Sequence, residues 1–289
     1  MMTGRKPPTR FAVASYPQNP EALSLAARIA GHLQVRGVEA WHGLLYDEGL
    51  RRKVAERSVD MLVALGGDGT MLRAGQLCAA HTVPILGINV GHFGFLIEVD
   101  RSDWQPALER ALSGDYWLEQ RMMLRVELQR KEEVLGAWDV LNECVVGRGD
   151  TVRPVRLTAE VDGRAVTTYV ADALIVATPT GSTAYALAAG GPILPPELRN
   201  ILIIPVAPHL SVDRAIVLHE GSRVRVTVHT DHQASLSADG QPSIRLEDGD
   251  QVDVRASAHT ATFVRFRDAG YFYASLLSRM SHNPTVGEP

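Results

Sequence analysis

Residues 62–72 read LVALGGDGTML, and this stretch decides how the first third of the chain folds. An apolar run, Leu62 to Leu65, stops at Gly66 and Gly67. Asp68 follows as a lone carboxylate between glycines, and an apolar helical pattern resumes after Thr70. A strand ending in Gly-Gly-x-Gly ahead of a helix exposes backbone N–H groups with no Cβ in the way, so a phosphate chain can come close to the helix N-terminus. Two common nucleotide motifs do not account for it. No GxxxxGK[ST] occurs in the chain, and Gly67-x-Gly69 is followed three residues on by Leu72, which breaks the dinucleotide fingerprint. A turn that only holds phosphate gains nothing from a central carboxylate, which repels the ligand unless a metal lies between or a proton must be removed. Three roles stay open for Asp68: a helix cap, part of a phosphate-binding turn, or a catalytic base held in one. Glycine density weighs against a cap alone, because a cap needs no such glycines and each costs chain entropy.

Outward from this turn, FAVAS, EAWHGLLY and PILGIN read as strands, and EALSLAARIAGHL places Ala22, Ala26, Ile29 and Leu33 on one helical face. A further helix lies in SDWQPALERAL. Strand and helix in alternation predict an α/β domain over residues 1–114, its parallel sheet covered on both faces. From about Glu119 the texture changes. MLRVELQR, WDVLNECVV, VRLTAEVDG, RAVTTYV, DALIVAT, NILIIPVA, RAIVL, RVRVTVH and QVDVRAS succeed one another as strands, which predicts an antiparallel, β-rich domain over 115–266. One interruption, GSTAYALAAGG, suits a short helix capped at Ser182 or nearby. The last segment, 267–289, contains YFYASLLSRM and is expected to form a C-terminal helix that packs back on the first domain.

The 289 residues carry 45% hydrophobic and 21% charged residues and a formal net charge of −4, with no basic excess to suit nucleic acid. The apolar part of MMTGRKPPTRFAVAS is too short for a signal-peptide core, and no apolar run approaches the roughly 18 residues of a membrane span. A cytoplasmic protein without membrane partners is expected. Cys78 and Cys144 lie far apart with no ligand spacing around them, which predicts buried free thiols.

A second polar stretch, DALIVATPTGSTAYALAAGG at 172–191, delivers Thr178, Thr180, Gly181, Ser182 and Thr183 into a turn and Tyr185 onto the first turn of a helix. Such groups at the mouth of a sheet can hydrogen-bond a ribose or base edge and stack on an aromatic ligand; a capped strand-to-helix connection is the plainer reading. Asn142 and Glu143 are polar neighbours on an apolar strand, so at least one faces a cavity, an interface or water.

GGDGT at 66–70, GINVGHFGFL at 87–96, NE at 142–143, TPTGSTAYALAAGGPI at 178–193 and DGQ at 239–241 occur in the order and approximate spacing of the bacterial NAD kinase family, which the chain resembles over nearly its whole length. GGDGT alone is also similar to the diacylglycerol and sphingosine kinases and, more loosely, to the phosphofructokinases; TPTGSTAY with an upstream NE is far more specific. The resemblance implies an α/β kinase domain, a β-rich domain supplying much of the NAD site, and phosphorylation of the adenosine 2'-hydroxyl of NAD. ATP, or polyphosphate in some members, is the donor, with a divalent metal such as Mg²⁺. It implies that Asp68 is the base, that Gly66, Gly67, Gly69 and Thr70 form the donor's phosphate turn, and that Arg73 contacts phosphate. Phe95 and Asn142 would meet adenine, Glu143 a ribose, and Asp172 the nicotinamide carboxamide. Gly69, Thr183, Ala184, Tyr185, Ala188 and Gln241 would line the dinucleotide. The protein itself offers no evident metal ligands, so the metal would come with the donor phosphates. A homodimer or homotetramer is implied as well.

The chain departs from the family in places. Ala186 and Ala188 stand where members often have Ser, and Val170 stands where many have Arg or Lys, which makes Arg153 the candidate cation near the dinucleotide phosphates. His92, beside Phe93, reads as a solvated turn residue. Two rivals use the same turn: a lipid or sphingoid kinase, and a non-catalytic NAD(P) sensor.

Overall fold

The apolar run at 61–66 becomes a parallel strand buried at every position, as expected of a strand covered on both faces. The computed structural model describes residues 6–16, 20–91, 94–209, 213–268, 270–273 and 276. The chain divides into two units, one formed by the residues up to Glu119 with those from Thr262 onward, the other by Gln120–Ala261.

In the first unit the order is β1 (Arg10–Ser15), α1 (Pro20–Val35), β2 (Glu39–Leu44), α2 (Glu48–Ala55), β3 (Met61–Gly66), α3 (Asp68–Ala79), β4 (Ile85–Asn89), β5 (Val99–Asp100) and α4 (Trp104–Ser113). Strands β2, β1, β3 and β4 lie side by side and parallel. α1 buries Ala22, Leu25, Ala26, Ile29 and Leu33, and α4 buries Trp104, Leu108 and Ala111, in one core with Phe11, Val13, Met61, Val63 and Leu65. α3 packs on β3 and β4, and Met71 lies so close to Gly87 that a Cβ there would come within 2.7 Å of its sulfur.

Two local features differ from expectation. α3 begins at Asp68, not after Thr70, because Gly67 takes the N-cap position and its carbonyl accepts from Thr70 N and Met71 N at 2.9 and 3.2 Å. α2 carries too few apolar residues to show a period, with only Leu50 and Val54 buried; Asp47 starts it by accepting from Gly49 N at 2.8 Å and Leu50 N at 3.2 Å.

The second unit is antiparallel. Its strands are β6 (Trp117–Arg130, entering the unit at Gln120), β7 (Glu133–Val140), β8 (Glu143–Arg148), β9 (Val155–Val161), β10 (Arg164–Ala171), β11 (Ala173–Ala177), β12 (Asn200–Val206), β13 (Ile216–His219), β14 (Val224–His229), β15 (Ala234–Ala238), β16 (Ile244–Leu246) and β17 (Gln251–Arg265), with the short α5 (Tyr185–Ala188) after β11. One sheet runs β13-β12-β11-β8-β15-β16, and β9 lies between β10 and β14. Val146, Val176, Ile201 and Leu236 from the first of these share a core with Leu157, Val226 and Val252 from the strands opposite.

WDVLNECVV is not one strand but breaks at Leu141–Asn142 into β7 and β8, and β15 and β16 were not anticipated. Ser182 does not cap α5. It sits in a 3-10 turn, Gly181–Thr183, where its hydroxyl donates to Pro179 O at 2.6 Å and accepts from Leu194 N at 2.9 Å, pinning the loop instead. Both cysteines are buried and unbridged.

The last four residues of β17 belong to the first unit, where Phe263 pairs with Ile85 in parallel. Residues 271–273 are helical, and the Tyr271 hydroxyl donates to Glu119 Oε1 at 2.7 Å in the same unit. Most of the expected C-terminal helix lies outside the described residues, as do His92 and Phe93. No helix among the described residues is long and apolar enough to cross a membrane.

Candidate active site

In the first unit the GGDGT turn closes the C-terminal end of β3, and its glycines are not equivalent. A Cβ on Gly66 would lie 2.1 Å from Thr70 Oγ1, so Gly66 is required by packing, whereas a Cβ on Gly69 would meet nothing within 4 Å. Asp68 is half-buried at the start of α3 and caps nothing in its own helix. Its Oδ2 accepts from Phe95 N at 2.6 Å and its Oδ1 from Leu96 N at 3.0 Å. A carboxylate offers about four lone-pair sites, so each oxygen keeps capacity for another partner. Gly94 makes this approach possible, since a Cβ there would sit 1.9 Å from Asp68 Oδ1. GGDGT and GHFGFL, separate in sequence, thus form one constellation.

Around it, Arg73 on α3 stacks 5.2 and 5.8 Å from the ring centroids of Tyr16 and Tyr46, which follow β1 and β2. Phe95 is half-buried. Asn89, paired with Gly66 at the end of β4, is 8% exposed and its Oδ1 has no hydrogen-bond partner. It lines a cavity of about 680 Å³ with Glu21, Gly91, Asp100, Arg101 and Ser102. Crevices at the carboxyl ends of parallel strands are where ligands of open α/β sheets bind.

In the second unit three further motifs converge. Asp239, in a left-handed conformation (φ +47°), accepts from Leu141 N and Asn142 N at 2.8 Å and from Glu143 N at 3.2 Å. Those amides are thereby drawn out of the ladder, which is why the strand breaks there. Thr178 donates its hydroxyl to Leu141 O at 2.6 Å and its N–H to Asn142 O at 2.8 Å. A Cβ on Gly181 would lie 2.2 Å from Asn142 O, so the TPTG turn rests directly on the Asn142 backbone. Glu143 is 8% exposed with no partner for Oε2, and burial, then the nearby Asp239 charge, push its pKa up to about 8. Near neutral pH it holds a proton and can donate.

The remaining predicted residues line the same unit. Thr183 Oγ1 donates to Thr180 O at 3.1 Å; Ala184 and half-exposed Tyr185 follow at the start of α5, and Ala188 is exposed at its end. Gln241 donates its N–H to Ala238 O at 3.0 Å and accepts from the Ser237 hydroxyl at 3.0 Å. Asp172 is ion-paired with Arg148 at 3.3 Å, while Arg153 is exposed on the loop before β9; the cation beside Asp172 is Arg148. Sequence reading missed Arg148, the amide-gathering role of Asp239, and Arg121, which is 2% exposed and donates to Thr180 Oγ1 at 3.3 Å. A charged residue directly beside the apolar run Met122–Leu124 on a strand was the signal for Arg121.

Residues 11–116 match the model of the ATP-NAD kinase N-terminal domain, and residues 141–266 that of the ATP-NAD kinase C-terminal domain. The chain is 38% identical over 272 residues to an NAD kinase of Chloroflexus aggregans, spanning 94% of this chain and 98% of the relative. A yeast NADH kinase solved with NADH shares the fold, with a TM-score of 0.85 over 96% of this chain and 89% of that one at 23% identity. An NAD kinase from Archaeoglobus fulgidus, solved with ATP, has a TM-score of 0.76 and 28% identity over 94% of this chain and 100% of that one. Both halves match in the order expected of one continuous enzyme, and the chain belongs to the NAD kinase family.

Proposed function

We propose that the protein phosphorylates the 2'-hydroxyl of the adenosine ribose of NAD, giving NADP, with ATP as donor and Asp68 as general base. The observation that carries this reading is the carriage of Asp68: its carboxylate is spent on no cap, is aimed by two amides, and stands beside a glycine, Gly69, whose outer side is open. In the step, the 2'-hydroxyl proton passes to Asp68 as the oxygen bonds to the γ-phosphorus, and the bond to the β,γ-bridging oxygen breaks to release ADP. Phosphoryl transfer asks little covalent chemistry of a protein, so alignment and charge neutralisation dominate.

Gly66, Gly67, Gly69 and Thr70 form the phosphate turn of the donor, and Arg73 can leave its tyrosine platform to meet phosphate. Among the described residues no three His, Cys, Asp or Glu side chains gather as a metal-ligand set. Mg²⁺ would come with the donor phosphates and would supply charge neutralisation there. On the acceptor, Asn142 and Phe95 take adenine, protonated Glu143 donates to a ribose oxygen, and Asp172 takes the carboxamide. Thr183, Ala184, Tyr185, Ala188 and Gln241 line the dinucleotide, with Arg153 the candidate cation for its phosphates and Arg148, ion-paired with Asp172, a second.

The protein is assigned to the cytoplasm as a homodimer or homotetramer. The edge strands β10 and β13, with Val166 and Val217 exposed, support self-association through the β-rich unit. A coupled assay of NADP formation, with ATP and polyphosphate offered separately and with a 2'-deoxyadenosine analogue of NAD as the control acceptor, tests the function. NADP from NAD and no phosphorylation of the analogue are expected; phosphorylation of diacylglycerol, or ligand binding without turnover, would turn the reading to a lipid kinase or a sensor.

A further inference from the structure

The loop that orients Asp68 is itself held from behind. Arg265, the last residue of β17, is 1% exposed, and its Nη1 donates to the Leu96 carbonyl at 2.9 Å. Its Nε donates to Glu119 Oε2 at 2.8 Å, with Nη2 2.7 Å from the same oxygen. The Tyr271 hydroxyl occupies Glu119 Oε1 at 2.7 Å, and the guanidinium lies 5.2 and 5.1 Å from the Phe263 and Tyr271 ring centroids. Just beyond, Phe266 N and Arg267 N donate to the Glu98 carboxylate at 3.2 and 2.5 Å. Leu96 and Glu98 are thus both tied to the 265–267 segment.

A buried ion pair is a poor device for stability alone, since well-packed apolar replacements are often neutral or stabilising. What this pair fixes is a geometry. Leu96 presents its carbonyl to Arg265 and its N–H to Asp68 Oδ1, so a shift of the guanidinium carries one residue of backbone and then the carboxylate with it. We propose that Arg265, braced by Glu119, is a positioning residue for phosphoryl transfer, setting the orientation of the Asp68 carboxylate through Leu96. The proposal rests on the reading of Asp68 as the base.

The test is a cycle of purified full-length variants: Arg265→Lys and the pair Arg265→Met/Glu119→Gln, each alone and combined with Asp68→Asn. With Asp68 present, kcat is expected to fall about 10- to 100-fold, since misplacing a catalytic group by about 1 Å costs on that order, while the KM values for NAD and ATP stay within about threefold. Arg265→Lys, which keeps the charge but not the fork, is expected to retain more turnover than the Met/Gln pair. In the Asp68→Asn background the same changes should alter residual turnover by less than about twofold, because groups that act through one another are not additive. Equal fold losses in both backgrounds, or unchanged kcat in the Met/Gln pair, would overturn the proposal. Near-wild-type turnover of Asp68→Asn by itself would instead remove the base reading on which it stands. If the Met/Gln pair does not fold, Tyr271→Phe, which loosens Glu119, takes its place in the cycle with the same criteria.

Discussion

Two carboxylates, Asp68 in the first unit and Glu143 in the second, both stand at the ends of apolar strands, and their surroundings treat them oppositely. Asp68 is half-exposed and receives one backbone amide on each oxygen. Glu143 is buried, and the amides around it, including its own, point to Asp239 instead. Its Oε2 is left without a partner and its pKa rises to about 8. On the proposed reading, the direction of the backbone donors makes Asp68 the aimed proton acceptor and leaves Glu143 a neutral donor suited to a sugar hydroxyl.

The harshest break of this contrast is Asp68→Asn. Loss of a positioned base costs on the order of 10²- to 10⁴-fold, so kcat should fall by that much while NAD binding by calorimetry stays within a few-fold; retained turnover would end the base assignment. Next come the glycines that let each cluster close. Gly94→Ala puts a methyl where Asp68 Oδ1 now lies, and the turn should move enough to lower kcat roughly 100-fold with NAD still bound. Gly181→Ala meets the Asn142 carbonyl, and a loss of about 1–3 kcal/mol of stability with weakened NAD binding is expected from denaturant melts and titration. If the two substitutions give the same kinetic phenotype, the division of labour between the clusters is wrong.

A milder change, Asn142→Ala, should weaken NAD affinity by roughly 1–3 kcal/mol, the cost of leaving buried ligand groups unpaired, and leave kcat at saturation nearly intact. Smallest is a pH effect. Folded Glu143, at about 8 against a reference of 4.5, keeps a proton that the unfolded chain releases. Its contribution is therefore fully present below the unfolded value and is lost as pH rises through the folded one. Glu143→Gln should flatten this decline, so its Tm should exceed that of the wild type increasingly toward alkaline pH. Parallel Tm curves would mean that Glu143 ionises freely in the fold.

Much of this was legible because periodicity and glycine placement are local. The run 62–65 predicted a buried parallel strand, and the unbroken succession of strands beyond Glu119 predicted antiparallel pairing. Ser182 misled because Ser ahead of alanines is a cap pattern, yet Leu194, twelve residues on, claims its hydroxyl. Asp239 was visible as part of DGQ, but its task depends on amides 96 to 98 residues away. Arg265 is invisible for the same reason: nothing near 265 in sequence shows that Leu96 and Glu119 surround it. α2 failed for another reason, since two buried residues in eight leave no period to read.

The bond between Asp239 and the amides at 141–143 also has a consequence in time. At about 5–20 residues per second, synthesis needs on the order of 5–20 s to reach Asp239 after Asn142 has been made, given a separation of 97 residues. During that interval the bend between β7 and β8 lacks the acceptor that holds it, and TPTG, made partway through it, has only an unset backbone to rest on. Contacts of such long range form late in folding as well. The nascent chain therefore carries its GGDGT turn well before the Asn142 cluster can be assembled, and a chain cut short of Asp239 should leave that cluster unformed.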